Sequence, residues 1–227
     1  MTLISQRITN IESRIQLAEA SAQRSQGCVR LLAVGKKHSA GALIQAYHAG
    51  LRHFGESYLQ EAIEKQQQLS CFDITWHFIG PIQSNKTRAI ANLFHWVHSV
   101  DRLKIAKRLS DQRSETLPPL DICLQVNVSG EESKSGVALQ DLPELVEQVS
   151  TLPRLRLRGL MAIPAKAESF DLQRQPFRLL QQAFGELNKK GVRLDTLSMG
   201  MTDDMEAAIA EGATIVRVGT ALFGIRE

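Results

Sequence analysis

Apolar residues follow two rhythms along this chain. From Leu3 to about Arg24, Ile4, Ile8, Ile11, Ile15 and Ala18 recur at helical spacing with charged residues between them. That pattern predicts an amphipathic helix. From Arg30 onward, short apolar runs alternate with longer helical patterns. The short runs predict strands at Leu31–Val34, Arg52–Phe54, Thr75–Ile79, Trp96–Val100, Ile122–Val128, Leu157–Ile163, Thr196–Met199 and Thr214–Val218. The longer patterns predict helices from Ala40 to Ala49, from Gly55 to Leu69, near Asn85, after Asp101, from Leu139 to Ser150, from Phe177 to Lys189 and from Asp204 to Gly212, with a short last one opened by Gly219-Thr220. Ser39, Ser84, Asp101 and either Thr202 or Asp203 stand where helix caps belong, and Gly50 and Gly212 end their helices.

Eight strand–helix units match a (β/α)8 barrel, with a doubly wound open sheet as the alternative. The expected architecture is α/β: a single TIM-type barrel over residues 1–227, with residues 1–25 packed on it as an extra N-terminal helix. The chain has 227 residues, 43% of them hydrophobic, which suits one core of this kind.

A net charge of +3 is too small to imply nucleic acid, so the basic helices near Lys86–Arg88 and Arg102–Arg113 read as solvated faces. Cys28, Cys71 and Cys123 lack metal-ligand spacing and read as reduced thiols. The N-terminus has no apolar core of a signal peptide, and no apolar run approaches membrane length. A cytoplasmic protein is expected, with no membrane or metal involvement.

In such barrels the chemistry sits at the C-terminal strand ends. Those ends carry Lys36, Gly55-Glu56-Ser57, Asn127, Met161, Ser198-Met199-Gly200 and Arg217-Val218-Gly219-Thr220. A lysine surfacing from a buried strand is partly desolvated, which favours its neutral, nucleophilic amine. Glycines and hydroxyls after the last two strands suit a phosphate, because backbone N–H groups can approach closely and hydroxyls add donors. Asp203, Asp204 and Glu206 read as first-turn acids. His77 alternates with Trp76 and Phe78 and reads as a core or rim histidine.

The stretches LLAVGK, HFGE, WHFIGPIQSNK, SKSG, RGLMAIP, LSMGMTDDMEAAIAEGAT and VRVGTALFG, in this order, resemble the pyridoxal phosphate homeostasis proteins (YggS/PROSC-like), whose barrels are similar to the N-terminal domain of alanine racemase. The resemblance implies pyridoxal 5′-phosphate held as a Schiff base on Lys36. It places the phosphate against Ser198, Gly200, Gly219 and Thr220, and Arg217 facing the pyridine nitrogen. Ile79 and Met161 fall where the family lines the ring, and Ser57 where the family has an asparagine that contacts the cofactor. Two positions depart from the family: Gly35-Lys36-Lys37 replaces serine-lysine-threonine, and Ser57 replaces an asparagine with longer reach and one more donor. Adjacent strand residues point to opposite faces, so only one of Lys36 and Lys37 can face the barrel axis; parity leaves the choice open, and the motif selects Lys36.

A storage or delivery role in vitamin B6 homeostasis with little or no turnover is the expectation. Arg217 cannot accept a proton from the ring nitrogen and disfavours its positive form. The chain ends at Glu227, shortly after the last strand, without the β-rich domain from which alanine racemases draw a catalytic tyrosine; its tyrosines are Tyr47 and Tyr58. A low-activity amino-acid racemase or lyase is the alternative, and a cofactor-free Schiff-base aldolase using Lys36 on a sugar phosphate is a third reading. Apo-enzymes that use the cofactor are the expected recipients, and a monomer is expected.

Overall fold

The computed structural model describes residues 2–131 and 135–224. In chain order the strands are β1 (Arg30–Val34), β2 (His53–Glu56), β3 (Thr75–Phe78), β4 (Trp96–Val100), β5 (Leu120–Asn127), β6 (Val137–Ala138), β7 (Leu155–Met161), β8 (Thr196–Ser198) and β9 (Ile215–Val218). They run in the order β4-β3-β2-β1-β9-β8-β7-β5, and β4 pairs with β5 to close the ring. All pairings are parallel. The barrel expected from the alternating pattern is therefore present. The two-residue β6 lies outside the ring and adds to the end of β5 through Val126 and Asn127. It falls where a loop was expected; residues 132–134 of that loop lie outside the described residues.

The helices are α1 (Leu3–Ser21), α2 (Ala40–His48), α3 (Leu59–Gln68), α4 (Thr87–Leu93), α5 (Leu103–Gln112), α6 (Leu142–Ser150), α7 (Phe170–Lys189), α8 (Met205–Ala210) and α9 (Thr220–Phe223). Among the described residues no helix is long and apolar enough to cross a membrane. Strand side chains alternate between helix layer and barrel interior. Ala33, Phe54, Phe78, Val97 and Val216 join Leu43, Ala46, Ile105 and Leu222 in one apolar layer, while Trp96, Cys123 and Met161 cluster separately within.

Helix α1 buries Ile4, Ile8, Ile11 and Ile15 and packs against α8, α9 and α2. Arg14 reaches Glu206 with two bonds of 2.8 and 3.0 Å, and Arg24 donates to the carbonyls of Ile209 and Ala213, at 2.9 and 2.7 Å, where α8 ends. The Arg14 and Arg24 bonds tie α1 to both ends of α8.

Several helix starts differ from the sequence reading. α7 begins at Phe170, capped by Ser169, and carries Pro176 inside it. Reading a proline as a helix boundary moves the start to Phe177, but the buried Phe177 and Leu180 hold the helix together across the missing N–H. Asp101 does not cap α5; its carboxylate binds the Arg102 guanidinium instead. Ser84 opens a 3-10 turn rather than capping α4. α8 starts after Asp204, whose carboxylate accepts from Met201 N–H at 2.6 Å.

Candidate functional site

The β1 strand ends at Val34, and the chain turns at once. Gly35 N–H still pairs with Gly55 carbonyl at 2.9 Å, and His38 N–H returns to Gly35 carbonyl at 3.0 Å. Lys36 and Lys37 are the two central residues of that turn. Strand parity therefore does not govern them. Lys36 is half-buried, and Lys37 is exposed with φ of +62°. A non-glycine residue in the left-handed region costs of order 1–3 kcal/mol and needs support. Support comes from Glu61, which accepts from Lys37 N–H at 2.5 Å.

Beneath this turn lies an ionic cluster. Lys65 of α3 is buried and donates to Gly35 carbonyl at 2.7 Å, Glu56 Oε1 at 2.8 Å and Glu61 Oε1 at 2.6 Å. Glu56 ends β2 and is fully buried, pointing toward α2 and α3. Burial pushes its carboxyl up to about 7 despite the attraction of Lys65 and, further off, of Lys36. Its second oxygen, Oε2, is buried without a hydrogen-bond partner among the described residues. Gly35 is required here, since a Cβ would lie 2.6 Å from Glu56 Oε1 and 3.1 Å from Leu43 Cδ1. One cluster thus fixes β1, β2, α3 and the turn carrying Lys36.

Strand order sets the rest of the site. β9 pairs with β1 on one side and β8 on the other, so Ser198, Arg217 and the Lys36 turn occupy three adjacent strands. Ser198 and Arg217 point into the barrel. Arg217 is 4% exposed and donates to Ser198 carbonyl at 2.5 Å, Ser198 Oγ at 2.9 Å and Ala162 carbonyl at 2.9 Å. Burial lowers its pKa to about 10, so it stays charged at neutral pH while bonded to neutral acceptors. Ser198 Oγ also lies 2.7 Å from His98 Nδ1, so this hydroxyl faces inward and not the mouth.

The sequence-predicted residues form a floor and a rim. Met161, Ser198 and Arg217 are the buried floor. Lys36, Ser57, Ile79 and Gly219 are half-buried and Thr220 is exposed. Gly200 adopts φ of +92°, and a Cβ there would lie 2.6 Å from Ala208 Cβ, so β8 can turn into α8 only with glycine. The arrangement offers an amine at the rim, a buried guanidinium below it and a glycine- and hydroxyl-bearing edge from β8 to β9. A cavity of about 680 Å³, lined by Arg14, Leu17, Phe170 and Arg174 outside the barrel, holds no comparable set.

Sequence reasoning did not find Lys65, Glu61, His53 or His98. Glu56 was legible only as a strand-end residue of the HFGE stretch. The histidines carry one weak signal, two alternating strand patterns (WHF and WVHSV) that each place a histidine opposite the outward-facing apolar residues.

Comparison with known proteins identifies the family and the fold. The alanine racemase N-terminal domain model matches residues 7–227. The pyridoxal phosphate homeostasis protein of Pseudomonas aeruginosa is 58% identical over 227 residues, covering 100% of this chain and 97% of its own. That of Escherichia coli K12 is 48% identical over 230 residues, covering 100% and 98%. The structure of PipY from Synechococcus elongatus with PLP bound is 38% identical with a TM-score of 0.87, covering 97% of this chain and 100% of that one. An alanine racemase from Corynebacterium glutamicum, 16% identical with a TM-score of 0.70, shares the fold over 95% of this chain and 61% of its own.

Proposed function

The chain belongs to the pyridoxal phosphate homeostasis proteins, a family of alanine racemase N-terminal-type barrels, and from that premise we propose that it binds pyridoxal 5′-phosphate at its C-terminal strand ends and stores or delivers it without appreciable turnover. The observation that carries this reading is the grouping of Lys36, Ser198 and Arg217 on the adjacent strands β1, β8 and β9. The donor set fits the group. Arg217 is a buried cation bonded to neutral acceptors, able to take an uncharged ring nitrogen without a competing carboxylate bond. Lys36 stands half-buried at the same end with its backbone fixed.

Bound pyridoxal phosphate supplies an aldehyde that a neutral amine captures reversibly, and a ring that can take up electrons. On this reading Lys36 is the capturing amine. Gly200, Gly219 and Thr220 hold the phosphate, Thr220 by its hydroxyl. Ser198 acts from below by accepting from Arg217, and Ile79, Met161 and Ser57 bound the ring. Arg217 keeps the ring nitrogen unprotonated, which weakens the ring as an electron sink and suits holding over catalysis. The half-buried amine and exposed Thr220 leave the site reachable, as delivery to apo-enzymes by a monomeric carrier in the cytoplasm requires.

Two measurements test the reading. The purified protein, incubated with pyridoxal phosphate, should develop the visible absorbance of a lysine-bound cofactor. The loaded protein, incubated with single L- and D-amino acids, should show no α-proton exchange or racemisation near the usual enzyme range of roughly 1–10³ per second. A rate in that range would favour the racemase or lyase alternative.

A further inference from the structure

A column of three histidines, two of them fully buried and His53 half-buried, crosses the barrel beneath this site. His53 Nδ1 lies 2.9 Å from His77 Nε2, His77 Nδ1 lies 2.9 Å from His98 Nε2, and His98 Nδ1 lies 2.7 Å from Ser198 Oγ. The three residues come from β2, β3 and β4, whereas Ser198 and Arg217 come from β8 and β9, separated from them by β1 on one side and by β5 and β7 on the other. His77 and His98 are fully buried. Burial depresses both, His98 to about 3 and His77 well below the usual histidine value, so both are neutral at physiological pH.

A neutral imidazole donates from one nitrogen and accepts at the other, so the column has a single direction, set at its head. Arg217 can only donate, and it donates to Ser198 Oγ. Ser198 is fully buried, and the acceptor within reach of its single proton is His98 Nδ1. A reversed bond would leave a buried hydroxyl proton unmatched. Ser198 therefore donates to His98, His98 Nε2–H to His77, and His77 Nε2–H to His53. His53 is left with its proton on Nε2, at the edge of a cavity of about 570 Å³ that it lines with Glu12, Gln16, Gly27, Leu51 and Arg52, at the opposite end of the barrel.

We propose that His98, His77 and His53 are positioning residues for Arg217, a hydrogen-bonded column of fixed direction that aligns the guanidinium through Ser198 and transmits any change at Ser198 to His53 across the barrel. The role for Arg217 toward pyridoxal phosphate rests on the function proposed above; the direction of the column does not.

The test has two arms. In the first, histidine tautomers are read by nitrogen-15 NMR on the cofactor-free protein. The expected result is the Nε2–H form at His98, His77 and His53. In Ser198→Ala the head loses its donor, and all three should become mixtures. Adding His77→Phe should uncouple His53 from Ser198→Ala. The Nδ1–H form at His98 or His77 in the wild type overturns the proposal, as does a His53 signal indifferent to Ser198→Ala. In the second arm, the protein is loaded with pyridoxal phosphate. His98→Asn, which can still accept from Ser198, should keep the wild-type absorbance maximum and its pH dependence. His98→Leu should shift both. Equal spectra for wild type, Asn and Leu variants overturn the positioning role. Failure of the wild type to load would instead remove the function proposed above while leaving the first arm decisive. Should His98→Leu not fold, the wild-type tautomers still decide the direction of the column, the His53 signal in Ser198→Ala decides its transmission, and a His98→Asn spectrum unlike the wild type overturns the positioning role.

Discussion

Lys65 of α3 holds Glu56 of β2 at 2.8 Å directly under the turn that carries Lys36, with both side chains withdrawn from solvent. Paired buried charges of this kind add little net stability but fix geometry, because removing one partner strands the other. Here the geometry fixed is the path of Gly35 to Lys37. Lys65→Met is expected to destabilise the protein by about 3–5 kcal/mol, as loss of one partner of a buried pair does. Urea unfolding measures the change; a loss below about 1 kcal/mol would mean the cluster is dispensable.

Glu56 gives that cluster a pH dependence. Its carboxyl is raised from 4.5 to about 7 by burial, so the folded protein binds the proton more tightly than the unfolded chain. The contribution of Glu56 is most favourable below about 4.5 and declines as the pH rises to about 7. Glu56→Gln should flatten the stability profile across this interval. Urea midpoints at a series of pH values test it; an identical slope in the variant would assign the dependence to other groups.

Gly35 stands where the family resemblance implies a serine. With a Cβ placed 2.6 Å from Glu56 Oε1 and 3.1 Å from Leu43 Cδ1, Gly35→Ser must displace a tethered carboxylate or a core leucine. Overpacking of this kind costs about 1–3 kcal/mol. A drop in the thermal midpoint is expected; an unchanged one would show that the cluster yields freely.

At the phosphate edge, Thr220→Val removes a hydroxyl donor while keeping the shape. A charge-assisted hydrogen bond contributes on the order of 1.5–3 kcal/mol, so cofactor affinity should fall roughly thirtyfold. Ser198→Ala should weaken retention through Arg217, which loses its hydroxyl acceptor. Equilibrium dialysis measures both; unchanged affinity in Thr220→Val would move the phosphate elsewhere, and unchanged affinity in Ser198→Ala would mean that Arg217 does not need the hydroxyl.

The barrel was legible because its strands are continuous apolar runs between capped helices, and Lys36, Ser198 and Arg217 were legible because strand ends mark the working face. Residues that act through register were not. His53 and His77 are 24 positions apart, His77 and His98 are 21 apart, and His98 and Ser198 are 100 apart. Parallel pairing of β2, β3 and β4 lines up the three histidines, and closure of the ring brings Ser198 to His98. The start of α7 was missed for a local reason: Pro176 lacks the N–H that a helix interior uses, and Ser169 caps the helix two turns earlier.

The most direct test of the account is borohydride reduction of the protein loaded with pyridoxal phosphate, with absorbance recorded before and after and the modified peptide identified by mass. The account predicts loss of the visible band, a single modified site at Lys36, and normal loading of Lys37→Ala. A label on Lys37, or a visible band that survives in Lys36→Ala, would contradict it.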